Sequence, residues 1–215
     1  MSAKPCALAL LLVAGCASNP GLEGALRAGG AFPFGHAPPQ SVEHATDVPQ
    51  PIALRDMYSP MFALEADLGA RVEPHLYLGL FAQVGAGVAT TAVMPSSPNR
   101  FALSGSATQT SGGTDLAAGA EVQLHLLPRR VFDPWMGFGV EAEYFWGAAW
   151  PGSGAPLRLE AGVDWTGETG AAFGPVVSVT RGQIAGDGGT CCGTAYGWVT
   201  FGVRGVIDFG RPRSP

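Results

Sequence analysis

The stretch "MFALEADLGARV" (61–72) alternates strictly. Phe62, Leu64, Ala66, Leu68, Ala70 and Val72 are apolar, and Glu65, Asp67, Gly69 and Arg71 stand between them. A period of two puts one set on each face of a β-strand, one face oily and the other charged. The same reading predicts seven further strands. Residues 21–35 set Leu22, Leu26, Phe32 and Phe34 against Glu23 and Arg27, and 75–90 set Leu76, Leu78, Leu80, Val84 and Val88 against His75, Tyr77, Phe81 and Gln83. Residues 114–128 set Leu116, Val122, Leu124 and Leu126 against Asp115, Glu121, Gln123 and His125. In 135–147, Met136, Phe138, Val140, Tyr144 and Trp146 oppose Glu141 and Glu143. In 156–165, Leu157, Leu159, Val163 and Trp165 oppose Arg158, Glu160 and Asp164. The last two are 171–182, where Pro175 suits a central strand poorly, and 196–210, where Val199, Phe201, Val203, Ile207 and Phe209 oppose Arg204 and Asp208. Wherever a strand carries two or more charges, all of them share one register.

The connections alternate as well. Those after the second, fourth and sixth strands are short, around Glu73-Pro74, "RRVFD" and "TGET". Those after the odd-numbered strands are longer, spanning about 36–60, 91–113, 148–155 and 183–195. Short turns at one end and long loops at the other are the asymmetry of outer-membrane barrels. Eight strands is the smallest usual closed size, with an interior just filled by side chains. The predicted fold is therefore all-β, an eight-stranded antiparallel up-and-down transmembrane β-barrel.

Composition supports the membrane version. Only 13% of the residues are charged, about half the share of an ordinary soluble domain. Hydrophobic residues make up 47%, yet no internal run approaches the roughly 20 apolar residues of a membrane helix. The charge-bearing register is also rich in Gly and Ala, which suits a crowded lumen, and the opposite register is apolar as hydrocarbon demands. Aromatic residues fall near the strand ends, with Phe32, Phe34, Phe62 and Trp146 towards the outside and Trp165, Phe173 and Phe209 towards the periplasm, as in interfacial girdles. Charges buried in the lumen need partners. Ion pairs and trapped water are expected around Arg27, Arg71, Arg158 and Arg204, with Glu65, Asp67, Glu121, Glu141, Glu143, Glu160 and Asp208 among their partners. A soluble, lipid-tethered barrel of the lipocalin type would need several Leu, Phe and Trp inside each strand. Its exterior would also be nearly free of lysine, because Lys4 is the only one in the chain. The net charge of −5 and the lack of a basic patch exclude a nucleic-acid partner.

The N-terminus "MSAKPCALALLLVAGCASNPG" has one lysine, a short apolar stretch and then small residues, the layout of a secretory signal. Val13-Ala14-Gly15-Cys16 looks like a lipobox, so residues 1–16 are expected as the signal and 17–215 as the barrel. Either Cys16 is lipidated or cleavage follows Ala17. Cys191 and Cys192, in the last long loop, form a vicinal disulfide or stay as thiols. Glu141 and Glu143 are neighbours on one face, readable as an acid/base pair or as carboxylates neutralised by interior arginines. His75 and His125 are expected inward near the short turns, and His36 and His44 in the first long loop. No His/Cys spacing suggests a metal and no G-x-S-x-G a hydrolase, so neither catalytic residues nor cofactors are expected.

On strand count, alternation, loop asymmetry and a last strand ending in Phe209, the chain resembles the small eight-stranded outer-membrane barrels similar to the transmembrane domain of outer-membrane protein A. The resemblance covers residues 21–210. It departs at the end, where Gly210-Arg211-Pro212-Arg213-Ser214-Pro215 follows the aromatic that usually closes the family's last strand. The resemblance implies a place in the bacterial outer membrane, insertion by the outer-membrane assembly machinery, and a structural or surface role through loops that meet an unknown extracellular ligand. Some small barrels of this kind are enzymes acting on lipid, the alternative activity.

Overall fold

The computed structural model describes residues 21–37, 52–93, 107–128, 130–146, 152–167, 171–184 and 194–209. In chain order the elements are β1 (Gly21–Ala37), β2 (Ile52–Ala53), α1 (Leu54–Met57), β3 (Met61–Glu73), β4 (Leu76–Val93), β5 (Ala107–His125), β6 (Phe132–Trp146), β7 (Gly152–Gly154), β8 (Leu157–Thr166), β9 (Ala171–Ile184) and β10 (Thr194–Asp208). Eight of these strands are long, and each pairs antiparallel with its neighbours. β1 closes the ring against β10, from Glu23 opposite Asp208 to Gly35 opposite Tyr196. The fold is a closed eight-stranded antiparallel barrel, so no long strand is left as an unpaired edge.

The oily register faces outward. Leu26, Leu64, Leu68, Leu80, Leu159, Phe201 and Val203 are all exposed on the outer wall, whereas Glu65, Asp67, Glu141, Glu143, Arg158 and Arg204 are buried in the lumen. This inverts a soluble barrel and excludes the lipocalin-type arrangement. Exposed Phe62, Phe132, Trp165 and Phe173 stand towards strand ends, whereas exposed Phe138 and Phe201 lie mid-strand. Phe32 meets Phe201 edge-on at 6.2 Å, and Trp165 lies 5.8 Å from Phe132 and 6.4 Å from Phe173. The side chain of Trp146 lies outside the described residues.

Several boundaries differ from the sequence reading. β4 runs to Val93 and β5 starts at Ala107, so this hairpin is longer and its loop shorter than expected. The first long connection carries β2, paired through His36–Ala53 and Ala37–Ile52, and the single-turn α1. His36 is thus an exposed strand residue. β7 adds a short rung to β6 through Glu143–Gly154. Pro175 is tolerated because the β8–β9 ladder skips from Gly162–Val176 to Trp165–Phe173, while β10 still pairs Val203 with Pro175. A proline removes one ladder donor, and the skipped rungs fall where that donor is missing. Gly35, at φ +84°, adopts a backbone conformation for which glycine is the default residue.

Candidate functional site

The lumen is built in tiers. At the end with the short turns, Arg71 reaches Glu23 through Nε at 2.6 Å and stands 3.8 Å from Asp133. His125, fully buried, donates from Nδ1 to Asp133 Oδ2 at 2.9 Å, and its Nε2 accepts from Arg71 Nη2 at 3.4 Å. This tautomer follows from the partners. A His–Asp dyad can orient a general base, but here the second ring nitrogen meets a guanidinium and not a nucleophile. His75 is not inward as expected. It occupies the two-residue turn between β3 and β4, exposed, with Nδ1 at 2.7 Å from the His125 carbonyl.

The middle tier centres on Arg27. Its guanidinium contacts Glu65 at 3.0 Å, Asp67 at 3.2 Å and Glu121 at 3.1 Å, and it also bonds Glu160. Arg158 shares Glu65 at 2.6 Å and Glu160 at 3.4 Å. Arg204 pairs with Asp164 at 2.8 Å. Tyr77 donates to Asp67 at 3.2 Å, and Gln123 donates to Glu121 at 2.6 Å. Aromatic faces complete the cation shell: Trp135 lies between Arg27 at 5.6 Å and Arg204 at 4.7 Å, and Phe81 lies 4.7 Å from Arg158. Cations over ring faces are attracted by the ring quadrupole. Glycines make room for the rings. A Cβ at Gly162 would strike Trp135, and one at Gly79 would strike Tyr77.

The upper tier is acidic. Asp115, Glu141 and Glu143 are buried together, and among the described residues the one arginine near them is Arg158, 3.9 Å from Glu141. Glu143 accepts from the Tyr196 hydroxyl, and Asp115 accepts from Gln83 at 3.4 Å. Glu141 and Glu143 therefore part company: one leans towards an arginine, the other bonds a phenol. Above them lies an apolar cap, formed by Leu54, Met57 and Tyr58 packed with Ala31, Met61, Phe145, Tyr196 and Trp198. Ten carboxylates are buried among the described residues (Glu23, Glu65, Asp67, Asp115, Glu121, Asp133, Glu141, Glu143, Glu160 and Asp164), against three buried arginines and the half-buried Arg71. Asp208, expected among the interior pairs, is half-buried near the barrel's end beside Glu23 on β1.

The inward aromatics Trp135, Phe145, Tyr196 and Trp198 and the α1 cap escaped the sequence reading. The available signal was register: all four aromatics share the parity of the charges on their own strands. Cys16, His44, Cys191 and Cys192 lie outside the described residues. Among the described residues, no group of three or more His, Cys, Asp or Glu is arranged to hold a metal ion.

A mid-lumen cavity of about 20 Å³, bordered by Arg27, Gln83, Arg158, Ser178 and Thr200, has room for about one water molecule. No helix among the described residues is long and apolar enough to cross a membrane, and the strands carry the apolar belt instead.

No protein-family model matches the chain, and no curated protein matches it. Among solved structures it is similar to the outer membrane protein OprG from Pseudomonas aeruginosa, at 14% identity and a TM-score of 0.49, covering 88% of this chain and 97% of that one. It is also similar to Neisserial surface protein A, at 12% identity and a TM-score of 0.48, covering 85% and 95%. Outer membrane protein AlkL, solved in DMPC lipid bilayers, is similar at 13% identity and a TM-score of 0.46, covering 92% and 94%.

Proposed function

We propose that this chain is an outer-membrane barrel, closed to solutes, that acts as a structural element and presents its long connections to the cell's surroundings. The observation that carries this reading is the combination of an apolar outer wall with a filled lumen. The Arg27 network and the apolar cap lie in series along the axis, and the mid-lumen cavity has space for about one water. A porin-like role needs a continuous aqueous path. A barrel enzyme acting on lipid needs a nucleophile beside a base at the rim, and the His–Asp dyad lies instead at the short-turn end against Arg71. Export by residues 1–16, with Cys16 lipidated or cleavage after Ala17, belongs to the same reading, as do insertion by the assembly machinery and a Cys191–Cys192 bond in the last loop.

Vesicles carrying the refolded chain test it. They are expected to retain small sugars and ions as well as protein-free vesicles do, while the unboiled protein runs ahead of the boiled one on a denaturing gel. Rapid solute leakage from vesicles holding the folded form would overturn the closed-barrel reading. Intact mass of the mature N-terminus distinguishes an acylated Cys16 from plain cleavage.

A further inference from the structure

The outer mouth contains an occupant that leaves its own surroundings unsatisfied. Tyr58 is 1% exposed and stands 6.3 Å from the Phe145 ring and 6.2 Å from the Trp198 ring. A Cβ at Gly113 would meet its Cδ1 and Cε1 at 3.3 Å, and Asp115 is the next inward residue along β5. Burial, and then the charge of Asp115, raise the Tyr58 phenol above its ordinary range. Even so, among the described residues the Tyr58 hydroxyl has no hydrogen-bond partner, and neither has Asp115 Oδ1 or the Trp198 indole N–H. Buried polar groups are nearly always paired, so an unpaired hydroxyl on Tyr58, with two more unpaired groups on its neighbours, marks a slot that its present occupant fits by shape alone.

The chemistry around the slot is specific. The Phe145 and Trp198 rings flank Tyr58, Tyr196 packs on Phe145 in the same cluster, Asp115 lies next inward along β5, and Glu143 bonds the Tyr196 hydroxyl. Ring faces attract organic ammonium groups, and a carboxylate favours a cation beside it. The Tyr58 segment is tied to the barrel by the short β2 pairing, the Tyr58–Ala89 bridge, the Ser59 N–H donating to the Val88 carbonyl at 2.9 Å, and the Val88 N–H donating to Ser59 Oγ at 3.1 Å.

We propose that the outer mouth of the barrel is a binding site for small arylalkylammonium cations, and that Tyr58 is its built-in competitor. The ligand's ring takes the place of the Tyr58 ring, and its ammonium donates to Asp115 and Glu143, which Tyr58 leaves without a cation. The proposal rests on the barrel reading above and adds a ligand class to it.

The test is calorimetric titration of the full chain, refolded in detergent micelles, with 2-phenylethylammonium and with 2-phenylethanol as the neutral isostere. Saturable binding of the cation is expected, at least tenfold tighter than the alcohol. Asp115→Asn should weaken it at least tenfold, and Tyr58→Ala should strengthen it at least threefold, because the competitor is gone. Each variant is first checked for the fast-running unboiled band. Should Asp115→Asn fail to fold, Glu143→Gln tests the same acidic pair. Three results would overturn the proposal in a folded barrel: no saturable binding to wild type or Tyr58→Ala, equal affinity for the alcohol, or affinity unchanged by the carboxylate variant. Loss of the unboiled band in the wild-type chain would instead count against the barrel itself.

Discussion

Replacing Arg27 by Met tests how the lumen is held together. The four carboxylates around the guanidinium would not suffer equally. Glu65 and Glu160 keep Arg158 at 2.6 and 3.4 Å. Asp67 and Glu121 keep only neutral donors, the Tyr77 hydroxyl at 3.2 Å and the Gln123 amide at 2.6 Å. The variant thus leaves two buried carboxylates without a cation partner. Breaking a buried ion pair from one side typically costs about 3–5 kcal/mol, chiefly because the abandoned charge stays buried. Shared support from Arg158 argues for the lower half of that range, about 3 kcal/mol. The assay is urea unfolding in lipid vesicles, followed by the gel shift and by tryptophan fluorescence. Adding Glu121→Gln should restore at least about 1 kcal/mol, because one of the two orphaned charges is removed. A loss below about 1 kcal/mol for Arg27→Met, or no gain from the second substitution, would refute the view that Arg27 is the hub of the interior network.

Three further outcomes are expected. Leu68→Arg puts a cation on the outer wall and should cost about 2–4 kcal/mol if the position lies near the bilayer midplane, measured by the same unfolding assay; in a soluble barrel it would be nearly silent. Gly119→Val should cost about 1–3 kcal/mol from overpacking, because its Cβ would run into the Val140 backbone carbonyl and the Phe81 ring, and the loss should appear as a lower urea midpoint. Leu54→Asp should loosen the apolar cap, speeding hydrogen exchange at residues 54–59, while vesicles stay tight because the Arg27 tier still fills the lumen.

Much of this was legible in the alternation itself. Once Glu65, Asp67 and Arg71 share a register, a closed barrel has to place them all on one side, and the oily wall follows. Partner choice was not legible, because it depends on shear and on contacts far apart in sequence: Arg27 meets Glu160, 133 residues away. The inward aromatics were hidden for a different reason. Trp135 and Trp198 are apolar residues in a polar register, and what makes Trp135 fit is space left by a glycine on another strand, Gly162. Local propensity could not predict α1 either. Its single turn exists because Leu54 and Met57 find the barrel mouth, a tertiary contact that overrides a weak local preference.

The apolar register faces lipid, and the charged one faces a packed lumen. Single-tryptophan proteins test this placement most directly: one keeps Trp165 on the outer wall, the other keeps Trp135 inside, and phenylalanine replaces the remaining tryptophans. Both are reconstituted in vesicles whose acyl chains carry bromine. Strong quenching is expected of Trp165 and little of Trp135, which is 2% exposed with two arginines over its ring. Equal quenching of both, or stronger quenching of Trp135, would contradict this placement.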